Sequence, residues 1–349
     1  MSPLARARPD LAAFVPYASA RRSGLVGAIR LNANESPWAD NGDSAALNRY
    51  PDPQPLALRS DLATLYGVAE DRLWTGRGSD EAIDLLLRGF CRAGRDNVVG
   101  LAPSFGMYRI GAQLQGAEYR ALTLSPAAGF ALDPERLLAL VDADTKLVVL
   151  CSPNNPTGEL HHDVVGWLAE ALAGRALLVV DEAYIEFAGI PSATALLDRH
   201  DNLVVLRTLS KAHALAGARI GSLIAHPDVA RFIGRIAAPY PLPLPCVAAA
   251  IAALEPAALE RTRARIATLV GERRQLADAL AARPDVRTVW PSAANFVLAR
   301  FADGPAALQR ALAAGVVLRD VSAQPGLADC LRITVGSPYE NETLLEALA

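Results

Sequence analysis

Four short apolar runs, each followed by a polar turn, limit the folds open to this chain more than any other feature of its sequence. They occupy residues 97–101, 147–150, 176–180 and 203–206. Each run is mostly apolar at consecutive positions, which is typical of a strand buried on both faces of a parallel sheet. Helical patterns separate the runs, so the sequence predicts an α/β fold with a mostly parallel, doubly wound sheet. A further strand at residues 220–225 follows after a short link, and we expect it to be antiparallel.

The fourth run leads into Lys211, and the composition of the chain makes this residue unusual. Lys and Arg together number 34, but only Lys146 and Lys211 are lysines, and Lys146 suits an ordinary solvated charge at a strand start. An Arg stays protonated, whereas a Lys among small apolar neighbours can lose its proton and attack a carbonyl. The hydroxyls of Thr208 and Ser210 and the guanidinium of Arg219 are suited to phosphate oxygens. A lysine that can trap an aldehyde beside phosphate ligands suggests pyridoxal 5′-phosphate as the cofactor.

Other polar residues follow the strands at the edge where parallel sheets bind ligands. Asp181 ends the third run and could pair with a pyridine nitrogen. A strand-end Asp often only caps a helix, however, and the residue alone favours neither interpretation. Asn155 precedes a proline, so we expect its backbone to be extended. Phe105, after the first run, could stack on a flat ring or pack in the core.

A helix is predicted from Ser79 to about residue 90, with Ser79 as its N-cap. Small residues at a helix start leave backbone N–H groups free to face an anion. Gly78, Ser79 and Asp80 are therefore candidates for binding a phosphate, although any capped helix looks similar. The segment lacks the G-x-G-x-x-G of a dinucleotide site and the Lys of a P-loop, which excludes both nucleotide interpretations.

Prolines at four positions between residues 239 and 245 predict a domain boundary. We divide the chain into an extended N-terminal arm (1–35) that packs with the small domain or a dimer partner, a large cofactor-binding domain (36–240) and a small α/β domain (241–349). One long helix is expected over residues 257–282. Strands are expected to follow it near residues 286–290, 296–300, 316–318 and 331–335.

Two arginines of the small domain are candidates for anion binding. Apolar residues alternate along the last predicted strand, so Arg332 points to the opposite face. An Arg on a core strand is rarely buried without an anionic partner. Because Arg319 ends the preceding predicted strand, the two guanidiniums could converge on one anion.

Charge and cysteine content argue against several classes of protein. A net charge of −3 gives no electrostatic basis for binding nucleic acid or an anionic membrane. The four cysteines are far apart and form no C-x-x-C pair, so we expect reduced thiols, a cytoplasmic location and no metal site. Residues 1–22 contain no continuous apolar segment, so we expect no signal peptide, and the most apolar helix candidate, residues 246–254, is far too short to span a bilayer.

Residues 207–219 resemble the lysine segment of the fold-type I aminotransferases, which depend on pyridoxal phosphate. The resemblance is strongest to the histidinol-phosphate aminotransferases, and it runs from the Tyr17 segment to residues 330–336. It implies a seven-stranded sheet in the large domain and a Schiff base between the cofactor and Lys211. It also implies a reaction that moves an amino group between L-histidinol phosphate and 2-oxoglutarate, with Lys211 moving the proton.

The resemblance assigns further contacts within the site. Asp181 would pair with the ring nitrogen, Asn155 and Tyr184 would hydrogen-bond the ring hydroxyl oxygen, and Phe105 would stack on the ring. The expected substrate-binding residues are Tyr17, Asn155, Arg319 and Arg332. The other expected cofactor contacts are Gly78, Ser79, Asp80, Thr208, Ser210 and Arg219.

The resemblance also implies a homodimer with shared sites, in which Tyr50 reaches the cofactor phosphate of the neighbouring subunit. Two positions depart from the family pattern: Phe105 replaces a usual Tyr, and His213 replaces a usual aromatic residue. We expect His213 to be a hydrogen-bonded core residue, the alternative being a pH-sensitive group behind the site. Threonine-phosphate decarboxylases and aromatic aminotransferases share the architecture and are alternatives, as is a non-catalytic regulator that binds pyridoxal phosphate.

Overall fold

A seven-stranded sheet organises the computed structural model, which describes residues 2–11, 14–16, 29–39 and 47–349. The strand order is β1-β7-β6-β5-β4-β2-β3, and β7 is antiparallel to both of its neighbours while the other pairs are parallel. The four predicted parallel strands and the predicted antiparallel strand are therefore confirmed. The strands are β1 (Leu73–Arg77), β2 (Asn97–Ala102), β3 (Glu118–Thr123), β4 (Thr145–Cys151), β5 (Leu177–Asp181), β6 (Leu203–Thr208) and β7 (Ile220–Ala225).

Helices cover both faces of this sheet, as the doubly wound prediction requires. Leu58 and Leu62 belong to the core on one face, whereas Ile83 and Leu86 belong to the core on the other. Helix α7 also packs on the large sheet. Its residues Val247, Ala250 and Leu254 belong to the same core as Leu58 and Leu62, although they lie beyond residue 240, the expected end of the large domain. The helices up to this point are α1 (Leu56–Tyr66), α2 (Gly78–Phe90), α3 (Met107–Gln115), α4 (Pro134–Leu138), α5 (Val165–Ala171), α6 (Pro227–Ile236) and α7 (Leu244–Leu254).

The strand register brings the polar strand ends together. Cys151 at the end of β4 is paired with Asp181 at the end of β5, and Asp181 is paired with Leu206 of β6. Backbone hydrogen bonds continue one residue further, because Ser152 N donates to Asp181 O at 2.9 Å and Glu182 N donates to Leu206 O at 2.9 Å. The turns that follow β4, β5 and β6 therefore begin side by side.

The start of α2 differs from the prediction. Arg77 is the N-cap residue and makes no side-chain capping bond, and Ser79 lies within the first turn. The Glu81 carboxylate accepts the Arg77 N–H at 2.6 Å. Because the helix begins at Gly78, Ser79 is not at the N-cap position, and the N–H of the actual N-cap residue is satisfied from within the first turn.

A second, four-stranded antiparallel sheet lies in the C-terminal part, in the order β10-β11-β9-β8. The strand predicted at 316–318 is wrong: Val316 N donates to Ala311 O at 2.8 Å, and Val317 is 82% exposed. Val316 and Leu318 pack against the core of this sheet, so their apolar pattern records burial rather than strand pairing. The elements are α8 (Pro256–Ala281), β8 (Val286–Trp290), β9 (Phe296–Phe301), α9 (Gly304–Ala313), β10 (Arg319–Asp320), β11 (Cys330–Thr334) and α10 (Pro338–Ala347).

The first residues are not extended as predicted. Pro3–Arg6 and Pro9–Leu11 form single turns of 3₁₀ helix. They lie on the large sheet's helices, because Ser2 Oγ donates to Asp228 at 2.9 Å and Arg8 N donates to Gly89 O at 2.9 Å. Within the described ranges, no helix combines the length and apolarity needed to cross a bilayer. The same residues contain no group of three or more side chains arranged to hold a metal ion.

Candidate active site

A cleft of about 540 Å³ opens at the carboxyl ends of β4, β5 and β6, between the two sheets. It brings together most of the residues that the sequence singled out. Of the predicted site residues that the structure describes, only Gly78 and Tyr50 do not line the cleft. Tyr17 lies outside the described residues. The predicted residues in the lining are Ser79, Asp80, Phe105, Asn155, Asp181, Tyr184, Thr208, Ser210, Lys211, Arg219, Arg319 and Arg332.

Lys211 lies just beyond the end of β6 and opens to the cleft. Its Nζ is 5.6 Å from the centre of the Tyr184 ring. Removal from water lowers the pKa of Lys211, and the positive charge of Arg332 lowers it further, against the opposing effects of Asp80 and Asp181. The amine therefore loses its proton more readily than a solvated lysine, as a nucleophile or general base requires.

Asp181 is buried at the end of β5 and is held from two sides. Tyr108 OH donates to Asp181 Oδ2 at 2.7 Å, and Ala183 N donates to Oδ1 at 3.1 Å. Burial raises the pKa of Asp181 to about 6, against the lowering effect of these two hydrogen bonds. The carboxyl is mostly ionised at neutral pH, so it could keep a proton on a basic nitrogen in the cleft.

The sequence analysis missed Tyr108, although it noted the turn that precedes it. Tyr108 lies in the first turn of α3, is 1% exposed, and meets Phe105 edge to face with ring centres 5.5 Å apart. Burial, followed by the charge of Asp181, raises the pKa of Tyr108 well above its usual value, so it remains a proton donor. Its position three residues after Phe105, at a helix start, was the available signal.

A chain of hydrogen bonds links the two sheets across the cleft. Arg332 NH1 donates to Asn155 Oδ1 at 2.5 Å, and Asn155 Nδ2 donates to Tyr184 OH at 3.3 Å. Burial is the main cause that raises the pKa of the Tyr184 phenol, so it stays protonated. These contacts leave the Tyr184 hydroxyl proton available to a ligand oxygen.

The residues predicted to bind phosphate meet at the start of α2. Gly78 has φ +79°, and a Cβ there would lie 2.5 Å from Arg219 NH2, so this position favours glycine. Arg219 also contacts Asp80 at 3.1 Å and Ser210 Oγ at 3.5 Å. Thr208 Oγ1 lies 2.9 Å from Ser210 Oγ. Hydroxyls, a guanidinium and the N-terminus of a helix thus lie together, which suits a phosphate monoester.

Arg319 and Arg332 are directly opposite one another on β10 and β11. The Arg332 guanidinium lies 5.3 Å from the centre of the Phe296 ring, and its Nε is buried without a hydrogen-bond partner in the described part of the chain. Burial lowers the pKa of Arg332, and the nearby charge of Arg319 lowers it slightly more. Two like charges held this close favour a shared anion between them.

Two residues lie apart from this cleft. Tyr50 is 49% exposed and stacks on Tyr240 with ring centres 4.6 Å apart, and its N–H donates to Glu35 Oε1 at 2.7 Å. His213 is buried, as expected, but the hydrogen bond expected of it is not made at Nδ1, which has no hydrogen-bond partner among the described residues.

The residues of the cleft fit pyridoxal 5′-phosphate. They provide an amine for its aldehyde, a buried carboxylate for its ring nitrogen, a phenol and an amide for its hydroxyl oxygen, and the phosphate site at α2. The aldehyde and phosphate partners, Lys211 and Arg219, come from the same loop after β6, so one segment fixes both ends of the group.

Comparisons with known proteins agree with this geometry. A family model described as aminotransferase class I and II matches residues 16–348. A histidinol-phosphate aminotransferase from Stenotrophomonas maltophilia (strain R551-3) is 53% identical over 350 residues, which covers 99% of this chain and 96% of the relative. The histidinol-phosphate aminotransferase of Xanthomonas euvesicatoria pv. vesicatoria (strain 85-10) is 53% identical over 345 residues, covering 98% and 95%.

Solved structures share the fold. The histidinol-phosphate aminotransferase of Clostridium acetobutylicum superimposes with a TM-score of 0.78 at 24% identity, covering 86% of this chain and 90% of that one. That of Sinorhizobium meliloti, in complex with pyridoxal-5′-phosphate, gives a TM-score of 0.77 at 28% identity, covering 86% and 82%. The chain therefore has the fold-type I architecture and belongs to the class I and II aminotransferases, within the histidinol-phosphate aminotransferase family.

Proposed function

We propose that this chain transfers an amino group between L-histidinol phosphate and 2-oxoglutarate, with pyridoxal 5′-phosphate as its cofactor. The observation that supports the proposal is that one cleft is lined by two separate groups of side chains suited to anions. Ser210 and Arg219 mark one site, and Arg319 and Arg332 mark the other, with Lys211 also in the lining. One site suits the cofactor phosphate, and the other suits the substrate phosphate or the carboxylate of glutamate.

When bound, pyridoxal phosphate supplies an electron sink for the negative charge that develops at the substrate carbon. Lys211 would hold its aldehyde and, once released by the substrate amine, would take and return the proton at that carbon through Nζ. Asp181 would keep a proton on the ring nitrogen, which its mostly ionised state at neutral pH allows. Tyr184 and Asn155 would orient the ring by donating to its hydroxyl oxygen.

Substrate choice would depend on the arginine pair. A guanidinium binds phosphate and carboxylate oxygens through the same planar set of donors. Arg332, already bonded to Asn155, would therefore bind histidinol phosphate in one half-reaction and glutamate in the other. Asn155 would contact both cofactor and substrate, and the position of Tyr17 against the substrate stays a prediction.

We further propose that the active protein is a homodimer with shared sites. Tyr50 is half exposed and lies outside the cleft of its own chain, which supports a contact with the cofactor phosphate of a partner. The neighbouring described segment exposes Ile29 (82%), Leu31 (89%) and Trp38 (80%). Large apolar side chains exposed together are typical of an interaction surface.

The proposed domain division stays at residues 1–35, 36–240 and 241–349. The seven-stranded sheet falls within the second range and the four-stranded sheet within the third. A cytoplasmic location is supported by the four cysteines, which are all free thiols.

A direct assay tests the proposed reaction. The purified protein, loaded with pyridoxal phosphate, should form glutamate from 2-oxoglutarate with histidinol phosphate as donor, at a kcat/KM well above that with phenylalanine. Threonine phosphate should release no carbon dioxide. Preference for phenylalanine would indicate an aromatic aminotransferase, and carbon dioxide release would indicate a decarboxylase. Cofactor binding without any turnover would favour the regulator.

A further inference from the structure

Charged side chains are buried behind the candidate active site, and the proposed reaction does not use them. Arg207 NH2 lies 2.8 Å from Glu186 Oε1, and Arg207 NH1 lies 3.6 Å from Glu182 Oε2. The Glu182 side chain is fully buried and also accepts hydrogen bonds from Ser192 Oγ at 2.5 Å and Ala193 N at 2.7 Å. We call Glu182, Glu186 and Arg207 the buried charge cluster.

Two members of the cluster are next to a candidate site residue in the sequence. Glu182 follows Asp181 directly, and Arg207 precedes Thr208. Successive side chains of a strand point to opposite faces of the sheet. Asp181 and Thr208 line the cleft, so Glu182 and Arg207 occupy the opposite side of the same strand ends. The cluster therefore lies behind the contacts made by Asp181 and Thr208.

The cluster also reaches the loop that carries Lys211. His213, two residues later, is buried near the charges of Glu186 and Arg207. Ala212, which lies between Lys211 and His213 in the sequence, packs in a small apolar core that includes Tyr184. The end of β5 and the end of β6 thus meet on this cluster, and the lysine loop continues directly from the end of β6.

Stability alone gives a poor reason for such an arrangement. Well-packed apolar residues are often as stabilising as a buried ion pair, because the charges must be removed from water. What an ion pair adds is a fixed geometry. The Arg207 guanidinium reaches two carboxylates at once, and its plane lies over the Tyr66 ring with 4.8 Å to the ring centre. A lysine could not make both contacts with one rigid group.

We propose that Arg207 is a positioning residue: by binding both carboxylates, it fixes the end of β5 against the segment that carries Lys211. The proposal rests on the proposed function, since it takes Asp181 and Lys211 as cofactor contacts. A small displacement between these two groups would misplace the amine relative to the reacting carbon. Geometry of this kind affects the chemical step much more than substrate binding.

Two substitutions test the proposal in the enzyme loaded with pyridoxal phosphate. Arg207→Lys keeps the charge but loses the two-carboxylate contact, and Glu186→Gln keeps an acceptor for Arg207 but removes one charge. We expect kcat to fall about tenfold or more for Arg207→Lys, and less for Glu186→Gln, with KM for both substrates changed by less than about threefold. The pH midpoint of the cofactor's visible absorbance should shift in both.

Asp96→Asn is the matched control. The Asp96 side chain is fully buried and lies 2.7 Å from Arg92, just before β2 at the other end of the sheet. This variant should lower the melting temperature but leave kcat and the absorbance midpoint unchanged. If Arg207→Lys behaved in the same way, its role would be structural only and the proposal would be wrong.

The two variants keep the outcomes distinct. Should Arg207→Lys fail to fold, Glu186→Gln decides the question, and an unchanged kcat and absorbance midpoint in that variant would overturn the proposal. A wild-type protein with neither turnover nor a visible cofactor band would instead refute the proposed function. Active wild-type enzyme with unaffected variants would refute only the positioning role of Arg207.

Discussion

Replacing Asp181 by Asn should make the cofactor-free protein more stable and the loaded enzyme much slower. The substitution keeps the shape of the side chain. Its amide oxygen can accept from Ala183 N, and its amide N–H₂ can donate to the Tyr108 oxygen, so both contacts of the carboxylate have replacements. What is lost is a buried negative charge facing the cleft.

The size of the stability effect follows from the pKa of Asp181. Burial raises this pKa from 3.8 to about 6, and one pKa unit corresponds to about 1.4 kcal/mol, so the ionised group costs about 3 kcal/mol above pH 6. The folded chain binds the proton more tightly than the unfolded chain, so the contribution of Asp181 to stability falls as pH rises from about 4 to about 6 and stays low above that. About 1.4 kcal/mol of the difference between variant and wild type should develop between pH 5 and pH 8.

Urea unfolding of the two cofactor-free proteins between pH 5 and pH 8 measures this difference. Single-turnover reaction of the loaded enzymes with histidinol phosphate measures the catalytic loss, which we expect to be about a hundredfold, as for other lost electrostatic partners. Asp84→Asn, which removes a carboxylate that is 53% exposed on α2, should change neither quantity. Near-normal turnover of Asp181→Asn would refute its role at the ring nitrogen. A stability difference that does not vary with pH would refute the raised pKa.

Three further predictions concern the other site residues. Borohydride reduction of the loaded enzyme and peptide mapping should place the pyridoxyl group on Lys211, and a label on Lys146 would contradict the assignment. Arg332→Ala should raise KM for both histidinol phosphate and glutamate by at least about tenfold, because losing one partner of a buried charge pair costs about 2–5 kcal/mol. An effect on only one substrate would argue against a shared anion site. Mixing Lys211→Ala and Tyr50→Ala subunits should restore activity well above either parent if Tyr50 acts across the dimer, and mixed dimers without recovery would exclude that arrangement.

The parallel strands and the site at their ends were predictable because both depend on local patterns. A strand buried on two faces is apolar throughout, and parallel strands place the residues that follow them at one edge. Asn155, Asp181 and Lys211 lie together for this reason. The convergence of Arg319 and Arg332 was likewise expected, although the strand predicted at 316–318 does not form and Arg319 begins β10 instead of ending a strand.

Contacts between elements distant in sequence were not predictable in this way. Tyr108 reaches Asp181 over 73 positions, and only the docking of α3 over the end of β5 brings them together. The cap of α2 failed for a different reason: the helix begins at Gly78, so Ser79 lies inside the first turn and not at the N-cap position. Residue type alone does not show at which residue a helix begins.

The consecutive acids Asp181 and Glu182 contain a further signal, because it matters which face of the sheet each side chain occupies. At the end of a buried strand, two successive side chains cannot face the same side of the sheet. If one carboxylate faces a ligand cleft, the other enters the opposite core, where a buried charge requires a partner. An adjacent strand can supply that partner, and Arg207 occupies the corresponding position at the end of β6. A sequence with Asp-Glu at the end of one buried strand and Arg near the end of the neighbouring strand therefore predicts two features. One face of the sheet should carry a carboxylate that faces a ligand, and the other face should carry an ion pair.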